Sequence, residues 1–273
     1  MILVGVDAGG TGSRAVVVDR GTVVDRRDLG PINVLLHADA MDRLAGVVTD
    51  AGAAAAGFGL AGLRSDEHGR EITAELERRT GARIAVGDDT DAALAGAFEG
   101  AAGIVVIAGT GSGAAGRDAA GRSARIGGHG YLLGDEGGGY WIGREAVRAA
   151  MRGADGTGPP TALTAMVQRA FASLTGAEQQ VHRRPTDREL LARLVPGVAA
   201  LPQDGEARRI LAEAAGHLVD LAEALRRRLG PLPVAGVGGI FRCAPVRDAF
   251  RAGTGATEPA EPPELGALRL LDR

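Results

Sequence analysis

The clearest fold signal in the 273-residue chain is Ile2-Leu3-Val4-Gly5-Val6-Asp7-Ala8-Gly9-Gly10-Thr11-Gly12-Ser13, near its amino end. Its apolar first half predicts a buried strand, which runs directly into glycines and hydroxyl residues. A turn of this composition can direct several backbone N–H groups at one anion, because glycines let a ligand approach the backbone closely. The same residues, taken alone, fit an ordinary β-hairpin turn equally well.

A second stretch repeats this pattern further along the chain, where Ile104-Val105-Val106-Ile107-Ala108 leads into Gly109-Thr110-Gly111-Ser112. The repetition favours a polyphosphate held by two loops over two unrelated turns. We therefore predict phosphate contacts from seven residues of the two loops: Gly9, Gly10, Thr11, Ser13, Gly109, Thr110 and Gly111. Asp7, at the end of the first strand, is a candidate for binding Mg²⁺ directly or through a water molecule.

The composition excludes several classes of function. The net charge of −3 argues against a nucleic-acid-binding protein, which usually carries a basic patch. The chain has no lysine, and this excludes a Walker A loop, a Schiff base and pyridoxal-phosphate chemistry. Cys243 is its single cysteine, so neither a disulfide framework nor a four-thiolate cluster can form within one chain.

The sequence shows no signal-type segment at its start and no apolar run approaching the roughly 20 residues that span a membrane. We therefore expect a cytoplasmic protein that does not bind membranes.

Strands alternate with helices along the chain, which predicts an α/β fold. The second half repeats the first in outline, so we expect one domain over residues 1–105 and another over 106–264, with a terminal helix over 265–273 joining the first domain. The spacing of Leu163, Val167, Phe171 and Leu174 predicts a single helix.

Three carboxylates, Asp88, Asp89 and Asp91, lie between a predicted strand and a helix predicted over residues 92–98. Acidic residues at such a position commonly cap the helix, and this role accounts for two of the three. A general base for phosphoryl transfer must also be a carboxylate fixed at the edge of a sheet. One of the three is therefore a candidate base.

A glycine-dense segment covers residues 126–141 and contains Asp135 and Glu136, which are candidates for binding hydroxyl groups. The alternative is a flexible surface hairpin, against which the apolar Leu132, Leu133 and Trp141 argue. His129 in this segment is a catalytic candidate, although a lone histidine is more often structural.

Gly236-Val237-Gly238-Gly239 follows another predicted strand. Its glycines fit contact with a flat purine and a plain strand-to-helix turn equally well.

In this order, these four segments resemble the N-acetylglucosamine kinase branch of the BadF/BadG/BcrA/BcrD ATPase family, within the actin, sugar-kinase and Hsp70-like superfamily. The resemblance rests on Asp7 to Ser13, on Gly109 to Ser112, on Gly134-Asp135-Glu136-Gly137 running into Tyr140-Trp141-Ile142-Gly143, and on Val237-Gly238-Gly239. It implies two ribonuclease-H-like, actin-like ATPase domains around a central nucleotide cleft. The implied activity is an ATP- and Mg²⁺-dependent transfer of the γ-phosphoryl group to a hydroxyl of an amino sugar, with O6 as the expected acceptor.

The resemblance also assigns roles to individual residues. Thr11 and Thr110 fall where the family contacts ATP phosphates, Asp89 where it keeps its catalytic base, and Gly238 and Gly239 in its adenosine motif. The positions implied to bind the sugar are Asn33, Asp89, Gly128, His129 and Asp135. His129 stands where this branch often has Trp. A homodimer through the second domain is a further expectation from the resemblance.

Two alternatives remain open at this point. A BadF-type ATPase that activates a radical dehydratase or reductase would use two cysteines from each subunit for an iron–sulfur cluster, and this chain has only Cys243. A non-catalytic sugar or nucleotide sensor would bind ligand without releasing ADP. The sequence does not distinguish among N-acetylglucosamine, glucosamine, N-acetylmannosamine and N-acetylmuramic acid as the acceptor.

Overall fold

A computed structural model describes residues 1–272 of the chain. It divides the chain into two compact units, which are described separately. The first unit comprises Met1–Val105, Ala119–Gly121 and the segment from Glu258 onward, and the second comprises Val106–Asp118 and Arg122–Thr257.

Within the described residues, the first unit is built on a five-stranded sheet of order β3-β2-β1-β4-β5. Strands β1, β4 and β5 run parallel, whereas β2 and β3 form antiparallel hairpins with their neighbours. The strands are β1 (Ile2–Ala8), β2 (Ser13–Asp19), β3 (Thr22–Asp28), β4 (Ala55–Leu60) and β5 (Arg83–Asp88). The helices are α1 (Ala40–Ala51), α2 (Asp66–Thr80), α3 (Asp89–Ala97) and the late α11 (Pro263–Leu268), which a 3₁₀ turn (Arg269–Asp272) follows.

The two faces of this sheet are covered in different ways. Val4, Val6 and Ala8 of β1 are fully buried and belong to the main apolar core of the unit. On the other face, glycines replace side chains, and α11 and α3 lie directly on the strands. A Cβ on Gly5 would collide with the carbonyl of Glu264, and a Cβ on Gly57 with that of Ala267. The terminal helix therefore belongs to the structure that supports the ends of the parallel strands.

The second unit contains a sheet of order β8-β7-β6-β9 within the described residues. Its strands are β6 (Gly103–Ala108), the first residues of which belong to the first unit, β7 (Ser112–Arg117), β8 (Ser123–Gly127) and β9 (Val234–Val237). Its helices are α4 (Gly139–Asp155), α5 (Leu163–Phe171), α6 (Leu174–Arg183), α7 (Glu189–Ala192), α8 (Val195–Ala199), α9 (Gly205–Leu229) and α10 (Ala244–Thr254), with a 3₁₀ turn over Gly239–Arg242.

Two helix predictions need correction. The residues at helical spacing from Leu163 to Leu174 belong to two helices, because Ala172 takes a left-handed φ of 65° and Ser173 caps α6 by accepting a hydrogen bond from Gly176 N. Helix α3 begins at Asp89 rather than at residue 92, because Asp88 is the capping residue.

The α/β prediction is confirmed by these two sheets and their helices. Among residues 1–272, no helix is both long enough and apolar enough to cross a membrane.

Candidate active site

The first glycine loop joins β1 to β2 and is closed by its own hydrogen bonds. Gly9 N donates to Gly12 O at 3.2 Å, and Ser13 Oγ donates to Gly9 O at 3.4 Å. Ser13 is 1% exposed, so its hydroxyl holds the loop together, whereas Gly10 and Thr11 are exposed. The exposed part of this loop, which can meet a ligand, is therefore Gly10, Thr11 and Gly12.

Asn33 lies beside this loop. Ile32 N donates to Gly9 O at 3.0 Å, and a Cβ on Gly10 would stand 4.0 Å from Asn33 Nδ2. Asn33 Oδ1 accepts a hydrogen bond from Leu35 N at 2.9 Å, which fixes the amide. Asn33 Nδ2 makes no hydrogen bond to any residue within 1–272, so the side chain presents an N–H donor next to the loop.

Asp88 and Asp89 stand where β5 ends and α3 begins. Asp88 Oδ1 accepts hydrogen bonds from Thr90 N at 2.9 Å and from Thr90 Oγ1 at 2.7 Å, which makes Asp88 the N-cap of α3. Asp89 therefore does not cap the helix. Its side chain is hydrogen-bonded to that of Asp88.

The environment of Asp89 favours its protonated form. The pKa of Asp89 is raised to about 8, mainly by burial and further by the hydrogen bond and charge of Asp88 and the charge of Asp7, while a backbone hydrogen bond from Thr90 lowers it. A carboxyl group at a strand end whose pKa lies this close to neutrality is suited to proton transfer. The structure thus brings together two of the predicted site residues, Asp7 and Asp89.

Asp7 is the last polar residue of β1 before the glycine loop. Its pKa is raised to about 7, mainly by burial and then by the negative charge of Glu264, while the charge of Arg14 lowers it. The carboxyl groups of Asp7 and Asp89 repel each other beside the first glycine loop. Such a pair is a suitable donor set for a hard divalent cation. Within residues 1–272, no group of three or more His, Cys, Asp or Glu side chains is arranged as a metal site. Such a cation would therefore keep most of its water ligands.

In the second unit, the loop Gly109–Ser112 is fastened to the start of α4. Gly139 N donates to Gly109 O at 2.8 Å, and Tyr140 N donates to Thr110 O at 2.9 Å. Ser112 Oγ donates to Glu136 O at 2.6 Å, so this hydroxyl has the same internal role as that of Ser13. These hydrogen bonds fix the loop against the start of α4.

Asp135 connects this loop to the glycine-dense segment. Its carboxylate accepts hydrogen bonds from the backbone of Ser112 and Gly130, and a Cβ on Gly111 would collide with Oδ2 of Asp135. Asp135 has a left-handed φ of 61° and is 6% exposed, and its burial raises its pKa. Asp135 thus fixes the relative position of two predicted ligand-binding segments, a role that its sequence position did not indicate.

The remainder of the glycine-dense segment lies at the surface. Gly128 and His129 are exposed, and a Cβ on Gly128 would meet nothing within 4 Å. Leu132 and Leu133 are 78% and 83% exposed, so the expectation that these two residues would be buried is wrong, whereas Trp141 is buried. The two leucines lie in a turn between β8 and α4, where they have no sheet or helix to cover them.

Gly238 and Gly239 follow β9. Gly238 has a φ of 113°, and a Cβ there would collide with the carbonyl of Ala108 at the end of β6. Gly239 faces open space, because a Cβ at this position would meet nothing within 4 Å. Packing against β6 therefore explains why residue 238 is a glycine, whereas Gly239 leaves its backbone uncovered.

Two residues near these groups were missed by the sequence analysis. Gly62 has a φ of 91°, and a Cβ there would stand 2.5 Å from Asn33 Oδ1. Glu264 is buried against β1 and acts on Asp7 through its charge. Neither residue belongs to a recognisable motif. Each matters because of a contact between segments that are distant in the sequence, and such contacts leave no local signal.

The fold agrees with the folds of solved structures to which the chain is similar. The chain superimposes on a protein of Chromobacterium violaceum provisionally named N-acetylglucosamine kinase, with a TM-score of 0.84 at 29% identity over 99% of this chain and 98% of that one. It also superimposes on a ROK-family glucokinase of Streptomyces griseus solved with glucose and AMPPNP, with a TM-score of 0.68 at 19% identity over 100% and 98% of the two chains. The expected actin-like ATPase fold of the sugar kinases is thereby confirmed.

The BadF/BadG/BcrA/BcrD ATPase family matches residues 4–256, and the chain belongs to this family. It is 38% identical over 168 residues to an N-acetylmuramic acid/N-acetylglucosamine kinase of Clostridium acetobutylicum, a match that covers 59% of this chain and 54% of the relative. It is 34% identical over 134 residues to an N-acetyl-D-glucosamine kinase of Dictyostelium discoideum, covering 47% and 42% respectively. The chain thus spans about half the length of the curated relatives that it matches.

Proposed function

We propose that this protein is an ATP-dependent kinase that transfers the γ-phosphoryl group to a hydroxyl, expected to be O6, of an N-acetylated amino sugar. The observation that carries the proposal is Asp89, a largely buried carboxyl group at the start of α3 whose pKa is raised to about 8 beside Asp7 and the first glycine loop. The names of the similar proteins supply the substrate class.

In the proposed reaction, Asp89 acts as the general base. Its carboxylate accepts the proton of the attacking sugar hydroxyl, and the backbone N–H of Thr90 donates a hydrogen bond to it. The ionised form of Asp89 is the one that reacts, and because burial and neighbouring charges raise its pKa, that form is a stronger base than the carboxylate of an exposed aspartate. Asn33 orients the sugar by donating from Nδ2, while its Oδ1 stays bound to Leu35 N.

Asp7 is the residue that would hold Mg²⁺, directly or through water. When bound, the cation neutralises the phosphate charge that develops during transfer. Asp7 itself keeps its place through β1, which hydrogen-bonds on one side to β2 and on the other to β4.

The second unit contributes phosphate and adenosine contacts in this proposal. The loop Gly109–Ser112 is held against α4 by backbone hydrogen bonds, and we propose that Thr110 and the partly exposed backbone of this loop bind phosphate oxygens. The backbone at Gly239, which no other residue within 1–272 covers, is proposed to lie against the adenosine. Gly128, His129 and Asp135 complete the proposed sugar contacts.

The choice of sugar follows the two curated relatives, both of which are named for N-acetylglucosamine. We propose N-acetylglucosamine as the first substrate and N-acetylmuramic acid as the second. We also propose that the chain has two domains, the first of which includes the terminal helix. A cytoplasmic location and a homodimer belong to the same proposal.

A coupled assay of ADP release tests this function. Purified protein with ATP and Mg²⁺ is offered N-acetylglucosamine, N-acetylmuramic acid, N-acetylmannosamine, glucosamine and glucose, and we expect the highest kcat/KM for an N-acetylated sugar. ADP release that does not depend on any sugar would favour an ATPase role, and binding of sugar without ADP release would favour a sensor. Cys243, the single cysteine of the chain, is buried, which does not favour an iron–sulfur cluster shared between subunits.

A further inference from the structure

A buried carboxylate on the terminal helix has one oxygen without a partner. Glu264, near the start of α11, is 4% exposed. Its Oε1 accepts a hydrogen bond from Arg26 Nη1 at 3.2 Å, whereas its Oε2 is buried and has no hydrogen-bond partner within residues 1–272. A buried carboxylate oxygen that lacks a donor is destabilising, so a donor such as a bound water molecule is expected at Oε2.

The sheet register places Glu264 on the same face as Asp7. Gly5 of β1 is opposite Val16 of β2, which is in turn opposite Arg26 of β3, and the Glu264 backbone lies directly over Gly5. Asp7 is two residues beyond Gly5, and alternate residues of a strand project from the same face. The glycine at position 5 thus allows α11 to bring a carboxylate close to Asp7.

Asp7 and Glu264 are close enough for their charges to interact. Asp7 donates no hydrogen bond to Glu264 Oε2, because that oxygen has no partner within residues 1–272. Two carboxyl groups in such positions repel each other when both are ionised. A hydrated divalent cation relieves this repulsion, and the O–H groups of its water ligands are donors of the kind that Oε2 lacks.

We propose that Glu264 is an outer-sphere ligand of the divalent cation bound at Asp7, with Oε2 accepting a hydrogen bond from a metal-bound water. This inference rests on the proposed function, because it takes Asp7 as the cation-binding residue of a phosphotransferase. It adds a residue of the terminal helix to a site otherwise formed by the ends of the parallel strands.

The competing explanation is that Glu264 is present only for its ion pair with Arg26. The two explanations predict different results for the two partners. The side chain of Arg26 is 55% exposed, so losing it leaves the buried carboxylate and its negative charge in place. If the pair is purely structural, both Glu264→Gln and Arg26→Gln leave cation affinity unchanged. If Glu264 serves the cation, the two variants differ in cation affinity.

The experiment measures Mn²⁺ binding by EPR, with and without ADP, for the wild type, Glu264→Gln, Arg26→Gln and the double variant. We expect Glu264→Gln to weaken Mn²⁺ binding about tenfold, in the range usual for the loss of an outer-shell partner. Arg26→Gln should bind Mn²⁺ at least as tightly as the wild type, because the charge of Glu264 is then less neutralised. The double variant should resemble Glu264→Gln.

Glu261→Gln is the matched control, because Glu261 is a nearby carboxylate that pairs with Arg269 rather than facing Asp7. Thermal unfolding of each variant without metal checks that it is folded. Unchanged Mn²⁺ affinity in Glu264→Gln, or equal weakening in Glu264→Gln and Arg26→Gln, would overturn the proposal. Failure of the proposed function would appear instead as wild-type protein that binds Mn²⁺ and ADP but phosphorylates no sugar.

Discussion

Gly111 and Asp135 are in direct contact in the second unit: the aspartate carboxylate occupies the space that a Cβ on the glycine would need. Replacing Gly111 with Ala should therefore displace Asp135 and loosen the hydrogen bonds that the Ser112 and Gly130 backbones donate to it. We expect kcat/KM for the sugar to fall at least tenfold, roughly 1.4 kcal/mol in transition-state stabilisation, while the protein stays folded.

Gly216→Ala is the control for this variant. Gly216 lies within α9 of the same unit, and a Cβ there meets nothing within 4 Å. The substitution should leave kcat/KM unchanged and raise stability by about 0.5–1 kcal/mol, since alanine favours the helix. Equal kinetics for Gly111→Ala and Gly216→Ala would show that the position of Asp135 does not matter for turnover.

The crossing of α11 and α3 makes a prediction about stability. A Cβ on Gly266 would collide with the Ala92 carbonyl and with the backbone of Gly96. These are backbone atoms that cannot move aside, so Gly266→Ala should destabilise the protein by about 1–3 kcal/mol or more. Urea unfolding monitored by circular dichroism measures the change. Gly46→Ala in α1, where a Cβ meets nothing, should be neutral or stabilising, and a loss of stability there equal to that of Gly266→Ala would contradict this account.

Asp89 should reduce the stability of the ligand-free protein at neutral and alkaline pH. Its pKa in the folded state is about 8, against about 4 in an unfolded chain, so the folded state binds more protons between these values. The free energy of unfolding attributable to Asp89 therefore falls as the pH rises from about 4 to about 8.

Asp89→Asn removes this charge. Its Tm should match that of the wild type near pH 4 and exceed it increasingly toward pH 8, where each 1 kcal/mol corresponds to about 2–4 °C in a protein of this size. Thermal unfolding of both proteins across this pH range measures the difference. A constant difference, or one that shrinks toward pH 8, would show that Asp89 is not held protonated.

Asn33 should contribute to sugar binding through its amide N–H. In Asn33→Ala, we expect the KM for the sugar to rise about tenfold and the KM for ATP to change less than twofold, in keeping with the loss of one hydrogen bond to a bound ligand. Because Asn33 Oδ1 also accepts from Leu35 N, Asn33→Asp keeps that contact but replaces the N–H donor with a negatively charged acceptor. If Asn33→Asp binds sugar as well as the wild type does, Nδ2 has no part in recognition.

The sequence was sufficient to predict those features that depend on local chemistry. The glycine loops after β1 and β6, the α/β class and the capping of α3 by an aspartate all follow from residue types at fixed offsets. The break between α5 and α6 did not follow, because the left-handed φ of Ala172 carries no local signal. The exposure of Leu132 and Leu133 in a turn could not be predicted either, because apolar side chains indicate burial.

The role of Glu264 depends on contacts across the fold. Its pairing with Arg26 joins residues 238 positions apart, and its place over Gly5 requires the terminal helix to pack on the first strand. Read from the sequence, a glutamate beside prolines at the start of a short helix is an ordinary first-turn acidic residue. Only the assembled unit shows that this carboxylate is buried.

The assignment of Asp89 as the general base of a sugar kinase is tested by comparing the wild type with one variant. ADP release with N-acetylglucosamine is measured for the wild type and Asp89→Asn, together with ATP affinity by calorimetry. We predict that sugar-dependent turnover falls at least a thousandfold, about 4 kcal/mol in transition-state free energy, while ATP binds within twofold of the wild type. Near-normal turnover in Asp89→Asn, with ATP affinity intact, would contradict the account.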